Sequence, residues 1–126
     1  MKVIAIAAST IAIIMCAPAF GKGLSKQYGS CMDAASSNAQ MHDCVDVETK
    51  RQDAALNQNY QAAMKALSPA RKQAMLSAQR AWLAYRKAET DFTADPDGGT
   101  AAPLNADIEF LTITQARADS LEGVGQ

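Results

Sequence analysis

Apolar residues recur at intervals of three and four positions through most of the chain beyond residue 22, and no stretch alternates apolar with polar residues. Intervals of three and four place side chains along one side of an α-helix, whereas alternation indicates a half-buried β-strand. The sequence therefore predicts an all-α fold. We expect a small bundle of about four helices, mostly antiparallel and stapled by one disulfide bond.

The predicted helices are bounded by residues that start and stop helices. A short first helix covers about 28–35, and a long second helix covers about 39–67. Ser68 is expected to cap the third helix, with Pro69 at its first position. The turn-forming segment ADPDGGT at 94–100 predicts the main loop. A fourth helix is expected at about 104–121, followed by a tail that frays.

The apolar positions of the three long helices define the predicted core. Tyr60, Trp82 and Tyr85 are expected to form its aromatic part. Phe92 is the last of the regularly spaced apolar residues of the third helix. The alternative for this residue is an exposed position outside the core. The predicted inward-facing residues are Met41, Cys44, Val45, Leu56, Tyr60, Met64 and Leu67, then Met75, Ala78, Trp82, Tyr85 and Phe92, then Leu104, Ile108, Leu111, Ala118 and Leu121.

The first 21 residues have the pattern of a secretory signal peptide. Lys2 is followed by an apolar run at 3–17 and by small residues, so that cleavage fits after Ala19 or after Gly21. The run is too short and too poorly flanked to serve as a membrane span. We expect an exported protein, periplasmic or secreted, without stable membrane insertion once the leader is removed.

The mature chain, 22–126, is long enough for one domain with a modest core. The chain has twelve basic and thirteen acidic residues; removing Lys2 leaves eleven basic residues and a net charge of about −2. This balance argues against nucleic acid as a partner. Since no run of lysine and arginine occurs, nothing indicates attraction to a membrane surface.

Three cysteines occur in the chain. Cys16 lies in the leader and is expected to be removed with it. Cys31 and Cys44 remain in a compartment that oxidises thiols, and we expect them to form a disulfide bond. A bridge that closes a loop this short contributes roughly 3 kcal/mol in the chain-entropy model.

Charged and amide side chains are expected to form a polar seam between the second and third helices. On the third helix, two arginines lie to either side of the stripe that carries Trp82, with stems that can cover the core. On the second helix, three polar residues lie on or beside the apolar stripe. The seam is expected to fix the register of the two helices, and its members are Glu48, Asp53, Asn57, Arg80 and Arg86.

The sequence offers little for catalysis or metal binding. His42 is the only histidine, and an exposed or capping side chain is its expected role. Asp95 and Asp97, with Gly98, faintly resemble a calcium loop, but the other ligand positions are absent. We expect a protein that acts by binding, not an enzyme, with no cofactor and no metal.

The mature chain resembles the LprI-like lysozyme-inhibitor family over nearly its whole length. The motifs that carry the resemblance are Cys31, Cys44 followed by Glu48, QDAALNQNY at 52–60, QRAWLAYR at 79–86, PDGGT at 96–100 and TQAR at 114–117. The resemblance implies a small, helical, disulfide-stapled bacterial domain that is exported and is described as a lysozyme inhibitor. We therefore expect lysozyme or another peptidoglycan hydrolase as the partner.

One departure from the family pattern concerns a second cysteine pair that members commonly carry. Its first position corresponds to Thr90 here, and its second falls near Ile108 or Glu109. Because both cysteines are absent, a whole bridge is missing. We expect a looser joint between the third and fourth helices than in those relatives.

An inhibitor would have to occlude the sugar-binding cleft of its target. Animal lysozymes are usually basic and hold two carboxylates in a groove, so an acidic projecting element suits them. The loop at 91–100 offers this, with acidic neighbours on the fourth helix. The candidate target-binding residues are Asp91, Asp95, Asp97, Asp107 and Glu109. The alternative is that Asp, Pro and Gly serve only the turn.

Two other functions fit the same sequence. The protein could be an immunity protein that neutralises a cell-wall hydrolase delivered into the periplasm. It could also be an envelope or host-interaction module with no hydrolase target, in which case an exposed apolar patch is expected.

Overall fold

The computed structural model describes residues 22–126, so the predicted signal peptide and Cys16 lie outside the described residues. The helices are α1 (Lys26–Ala34), α2 (Asn38–Ala66), α3 (Pro69–Thr93), a short 3-10 helix (Gly99–Ala101) and α4 (Ala102–Leu121). The predicted all-α bundle of four helices is confirmed. Within the described part of the chain, no helix combines the length and apolar character needed to cross a membrane.

Serine residues set the starts of α1 and α2. Ser25 and Ser37 each accept a hydrogen bond from the backbone N–H three residues further on, at 3.1 and 3.3 Å. These bonds satisfy amides that have no partner inside the helix. Ser68 lies at the N-cap position of α3, but its side chain makes no capping hydrogen bond. Pro69 favours this start through its fixed backbone angle.

The central helix of the bundle is α4, which packs against both α2 and α3. Leu104 near its start packs in one cluster with Val45 of α2, while Leu121 at its end packs in another with Leu56, further along α2. These two helices therefore run in the same direction. Met75, near the start of α3, packs against the cluster at the end of α4, so α3 is antiparallel to both.

Seven of the predicted core residues are fully buried, namely Cys44, Val45, Leu56, Leu104, Leu111, Ala118 and Leu121. Met41, Tyr60, Met75, Trp82 and Ile108 are partly buried and pack against these clusters. Buried polar side chains were not predicted, yet Glu48, Gln52 and Thr114 are buried. The core is therefore formed mainly by the α2–α4 contact, with polar groups inside it.

No residue of α3 is fully buried. Tyr85 is 52% exposed, so its predicted place in the core is wrong. Phe92 is 81% exposed, which is the alternative that the sequence left open for it. The physical reason is that α3 packs mainly against one neighbour, α4. Only the side of α3 that carries Met75 and Trp82 is covered.

The predicted disulfide bond joins Cys31 of α1 to Cys44 of α2, with their Cα atoms 5.7 Å apart. No residue of α1 is fully buried. Tyr28 and Met32 pack against the cluster around Val45. Because none of its residues is fully buried, α1 gains little from packing, and the covalent bond contributes to its attachment.

Glu48 lies at the centre of a buried hydrogen-bond network and is only 2% exposed. Its carboxylate accepts hydrogen bonds from the Ser25 backbone N at 2.9 Å and from Ser25 Oγ at 2.6 Å. Arg51 Nη2 donates at 2.8 Å and Gln52 Nε2 at 2.9 Å. Burial alone raises the pKa of Glu48, but the hydrogen bonds from Arg51, Ser25 and Gln52 outweigh burial and lower the pKa to about 2.

The same network fixes the segment that precedes α1. Arg51 and Gln52 also donate to the Gly23 carbonyl oxygen, at 2.8 and 2.9 Å. The Gly23 N–H donates to Asp119 of α4 at 3.1 Å. Gly23 has a φ of +78°, which a glycine adopts without strain. The beginning of the described chain is thus held by both α2 and α4.

Arg86 occupies the space between α2, α3 and α4. Its Nη1 donates to Thr114 Oγ1 at 3.0 Å and lies 3.6 Å from Asp53 Oδ1. Its guanidinium lies 4.6 Å from the centre of a Trp82 ring and 4.1 Å from that of Phe110. Burial lowers the pKa of Arg86, and the charge of Asp53 opposes this effect.

The polar seam is therefore narrower than the sequence suggests. Asp53 and Arg86 meet across α2 and α3, but Glu48 makes its bonds to Ser25, Arg51 and Gln52 instead. Asn57 and Arg80, the other two predicted members, are exposed. The predicted five-residue seam is corrected to one ion pair flanked by two aromatic rings.

The C-terminal tail lies against the end of α2. Gln126 N donates to Gly123 O at 3.2 Å. A Cβ placed on Gly125 would lie 2.9 Å from the Cβ of Ala66. The absence of a side chain at Gly125 thus permits this close approach to the end of α2.

Thr90 has a buried hydroxyl without a hydrogen-bond partner among residues 22–126. Because an unsatisfied buried hydroxyl is costly and valine has nearly the same shape, we expect Thr90→Val to stabilise the protein by about 1 kcal/mol. Thermal unfolding should show a melting temperature about 4–8 °C higher. Thr112→Val is the control, because Thr112 Oγ1 already donates to Ile108 O at 2.8 Å. An equal or lower melting temperature for Thr90→Val would contradict the prediction.

Candidate functional site

The acidic loop, residues 91–100, begins with the last three residues of α3 and leads to α4 through a turn built by its own side chains. Asp95 Oδ1 accepts a hydrogen bond from Asp97 N at 2.9 Å, and the Asp95 carbonyl oxygen accepts one from Gly98 N at 3.0 Å. A Cβ on Gly98 would lie only 2.9 Å from the first side chain of α4, and Gly99 has a φ of +69°. Both glycines are therefore required by the turn.

An open depression of about 630 Å³ lies beside this loop. Phe92, Asp95 and Pro96 line it from the side of the loop, and Asn105 lines it from α4. It thus brings together an exposed ring, a carboxylate and an amide. This combination can bind a surface that is partly apolar and partly basic.

A second depression of about 440 Å³ lies between α3 and α4 and is lined by Trp82, Tyr85, Glu109 and Ile113, among others. Tyr85 and Phe92 are seven residues apart, or about two helical turns, so they lie on the same side of α3. By the same reasoning, Asn105 and Glu109 share one side of α4. The α3–α4 face is defined by Tyr85, Phe92, Asn105 and Glu109, and it carries two exposed aromatic rings.

The three aspartates of the acidic loop have different surroundings. Asp91 forms an ion pair with Lys87, one turn earlier on α3. Asp95 uses one carboxylate oxygen to build the turn. Among residues 22–126, neither Asp95 nor Asp97 forms an ion pair. Asp97 is thus the aspartate of the loop most available to a partner.

The two acids predicted on α4 do not act on the same surface. Glu109 lies on the α3–α4 face. Asp107 faces α2, where its Oδ2 lies 2.7 Å from His42 Nδ1. Two residues along a helix are separated by about 200°, which accounts for the divergence. The prediction that Asp107 joins Glu109 at the rim of a target is therefore corrected, and His42 is a partner of Asp107 and does not cap α2.

A family profile described as "Lysozyme inhibitor LprI" matches residues 31–121 of the chain. The chain belongs to the LprI lysozyme-inhibitor family. No curated protein and no solved structure gives a significant match. The LprI match spans both cysteines of the disulfide bond, all three long helices and the acidic loop. The description is that of an inhibitor, not of an enzyme.

The LprI match begins at Cys31, so the segment that binds Glu48 precedes it. Sequence reasoning did not find Ser25 or Gln52 as partners of Glu48. Arg51 and Gln52 lie three and four residues after Glu48, at spacings that bring side chains together on a helix. The sequence therefore contained a signal for the contacts of Arg51 and Gln52 with Glu48. Ser25 lies 23 positions before Glu48, and no local spacing in the sequence indicates that contact.

The LprI domain contains no cluster suited to a metal: within residues 22–126, no three or more His, Cys, Asp or Glu side chains converge on one point. The α3–α4 face instead offers exposed rings beside carboxylates. Asn105 was not predicted as part of it, because an isolated asparagine within a helix carries no distinctive signal. The α3–α4 face is suited to contact with another macromolecule.

Proposed function

We propose that this protein is an exported inhibitor of a peptidoglycan muramidase and that it blocks the substrate cleft with the acidic loop and Phe92. The observation that carries the proposal is the 81% exposure of Phe92 beside that loop. An exposed phenylalanine gains nothing from its position in the free protein. When it enters a partner's cleft, it becomes the kind of buried aromatic anchor that dominates binding energy.

Electrostatics support a basic target. Asp95 lines the depression next to Phe92, Asp97 lies two residues further along the loop, and Glu109 adds negative charge on the α3–α4 face. Since the predicted mature net charge is only about −2, long-range attraction contributes modestly. Affinity should come mainly from the local fit of the ring and the loop.

The loop is also organised before it binds. Two hydrogen bonds that Asp95 accepts, from Asp97 N and Gly98 N, define its turn together with the tight packing of Gly98. A preorganised loop loses less conformational entropy on association than a flexible one. The turn therefore favours binding even though the second disulfide bond of other family members is absent.

We expect the variant Phe92→Ala combined with Asp97→Asn to weaken muramidase inhibition by roughly 100-fold, as expected for the loss of a central anchor and an adjacent charge. The measurement is an inhibition titration at physiological salt against animal c-type and g-type lysozymes and a bacterial muramidase. Physiological salt limits nonspecific attraction between an acidic and a basic protein. Wild-type protein should inhibit one enzyme stoichiometrically.

The matched control is Val47→Ala combined with Asp46→Asn. Val47 is 69% exposed on α2, and Asp46 is an exposed carboxylate beside it. This variant removes similar groups from a different helix and should inhibit as strongly as wild type. Asp95→Asn alone should keep the turn, because an amide oxygen can accept the same bond. Undiminished inhibition by the Phe92 and Asp97 double variant would rule out the loop mechanism.

A further inference from the structure

Arg117 is a half-buried cation that lacks an acidic partner among residues 22–126. Its Nε donates to Gln79 Oε1 at 3.0 Å, and its Nη2 lies 3.8 Å from Met75 Sδ. An arginine has five N–H donors, so most of them have no oxygen acceptor in the protein. Burial lowers the pKa of Arg117, while the nearby Tyr60 opposes this effect. A desolvated guanidinium of this kind favours an anion as its partner.

Arg117 lines the 440 Å³ depression between α3 and α4, toward the end that is opposite Glu109. Trp82 and Tyr85 line the depression from α3, and Glu109 lines it from α4. Arg117 and Glu109 are eight residues apart on α4, which corresponds to about 12 Å along the helix axis. The groove therefore has a cationic end, an aromatic wall and an anionic end.

Each part of the groove matches one part of a carboxylated sugar. Aromatic side chains can pack against the apolar face of a pyranose ring. The Arg117 guanidinium can bind a carboxylate with two parallel hydrogen bonds. Glu109 can accept hydrogen bonds from sugar hydroxyl groups, and Thr112 and Ser120, which also line the groove, can donate or accept them.

We propose that the groove between α3 and α4 binds a pyranose that carries a carboxylate group, with the carboxylate on Arg117 and the ring against Trp82 and Tyr85. The groove is separate from the acidic loop, so it can bind a saccharide whether or not that loop inhibits a muramidase. Its approximate length accommodates a monosaccharide with an extended acidic substituent. Muramic acid and uronic acids share this chemistry.

The test is a titration of the exported, oxidised protein with N-acetylmuramic acid, N-acetylglucosamine and glucuronic acid. Trp82 is the only tryptophan in the chain, so its fluorescence reports directly on the groove. We expect N-acetylmuramic acid to change this fluorescence with a dissociation constant of roughly 1 mM or lower. N-acetylglucosamine, which lacks the carboxylate, should bind at least about tenfold more weakly. Tighter binding of glucuronic acid than of N-acetylmuramic acid would support the site and indicate a uronic acid as its ligand.

Variants assign the binding to individual side chains. Arg117→Gln should weaken the binding of N-acetylmuramic acid at least about tenfold. Arg117→Lys should retain part of the affinity because it keeps the charge. Arg80→Gln changes an exposed arginine of α3 and is the matched control. Circular dichroism should show that each variant is folded. Equal binding of N-acetylmuramic acid and N-acetylglucosamine, no binding of either, or an unaffected Arg117→Gln variant would overturn the proposal.

The experiment also separates this site from the proposed inhibitory loop. Phe92→Ala with Asp97→Asn should leave sugar binding unchanged, because neither residue lines the groove. Loss of sugar binding in that variant would contradict the assignment to the groove. Muramidase inhibition without sugar binding would reject only the groove, and sugar binding without inhibition would reject only the loop mechanism.

Discussion

Glu48→Ala is expected to destabilise the protein by about 3 to 5 kcal/mol at neutral pH, the range found when one member of a buried ion pair is removed. Glu48 accepts hydrogen bonds from Arg51, Gln52 and the Ser25 backbone, and it is almost fully buried. Its loss leaves several donors without an acceptor and a guanidinium without its counter-ion. The measurement is urea unfolding followed by circular dichroism.

Asp46→Ala provides the control for this variant. Asp46 also belongs to α2 and forms an ion pair with Lys50, but both side chains are largely exposed, at 63% and 74%. Exposed pairs of this kind contribute about 0.5 kcal/mol or less. If Glu48→Ala cost no more than Asp46→Ala, the network would not stabilise the fold as described.

The effect of Glu48→Ala should depend on pH. The pKa of Glu48 is about 2 in the folded protein and has an ordinary value of 4.5. A lowered folded-state pKa means that the stabilisation is fully present above 4.5 and is lost as the pH falls toward 2. The difference corresponds to roughly 3 kcal/mol. The gap in unfolding free energy between wild type and variant should therefore narrow across this range, and a constant gap would contradict the assignment.

The helices and the disulfide bond could be predicted because their signals are local in sequence. The spacing of apolar residues determines which side chains share one side of a helix. The same spacing does not determine how many neighbours cover that side. Tyr85 and Phe92 continue the stripe of Trp82, but α3 packs mainly against α4, so the stripe runs beyond the covered area.

Parts of the candidate site were predictable and others were not. The acidic loop follows from its turn residues, and the separation of Asp107 from Glu109 follows from helix geometry alone. The depressions of the α3–α4 face arise from the way in which the two helices approach each other. The spacing of apolar residues within one helix carries no information about that approach. Arg117 illustrates the limit: its lack of an acidic partner within residues 22–126 becomes visible only when the neighbouring helices are in place.

Replacing both Cys31 and Cys44 with alanine is expected to lower stability by about 3 kcal/mol, through the added entropy of the unfolded chain. This corresponds to a decrease of about 12–24 °C in melting temperature for a domain of this size. None of the residues of α1 is fully buried, and the helix is otherwise held mainly at its start, where Ser25 binds Glu48. Hydrogen exchange should therefore show the largest loss of protection in α1.

Reduction provides the control, because dithiothreitol should lower the melting temperature of wild type to that of the double variant and leave the variant unchanged. The α3–α4 face and Arg117 belong to other helices, so the proposed inhibition and sugar binding should persist in the variant well below its melting temperature.

The disulfide bond and Glu48 hold opposite ends of α1, so combining their substitutions should release α1 from α2 altogether. The combined loss of α1 protection should then exceed the sum of the single losses, because either attachment alone keeps the helix near its docking surface. Independent losses would mean that α1 is held chiefly by the packing of Tyr28 and Met32.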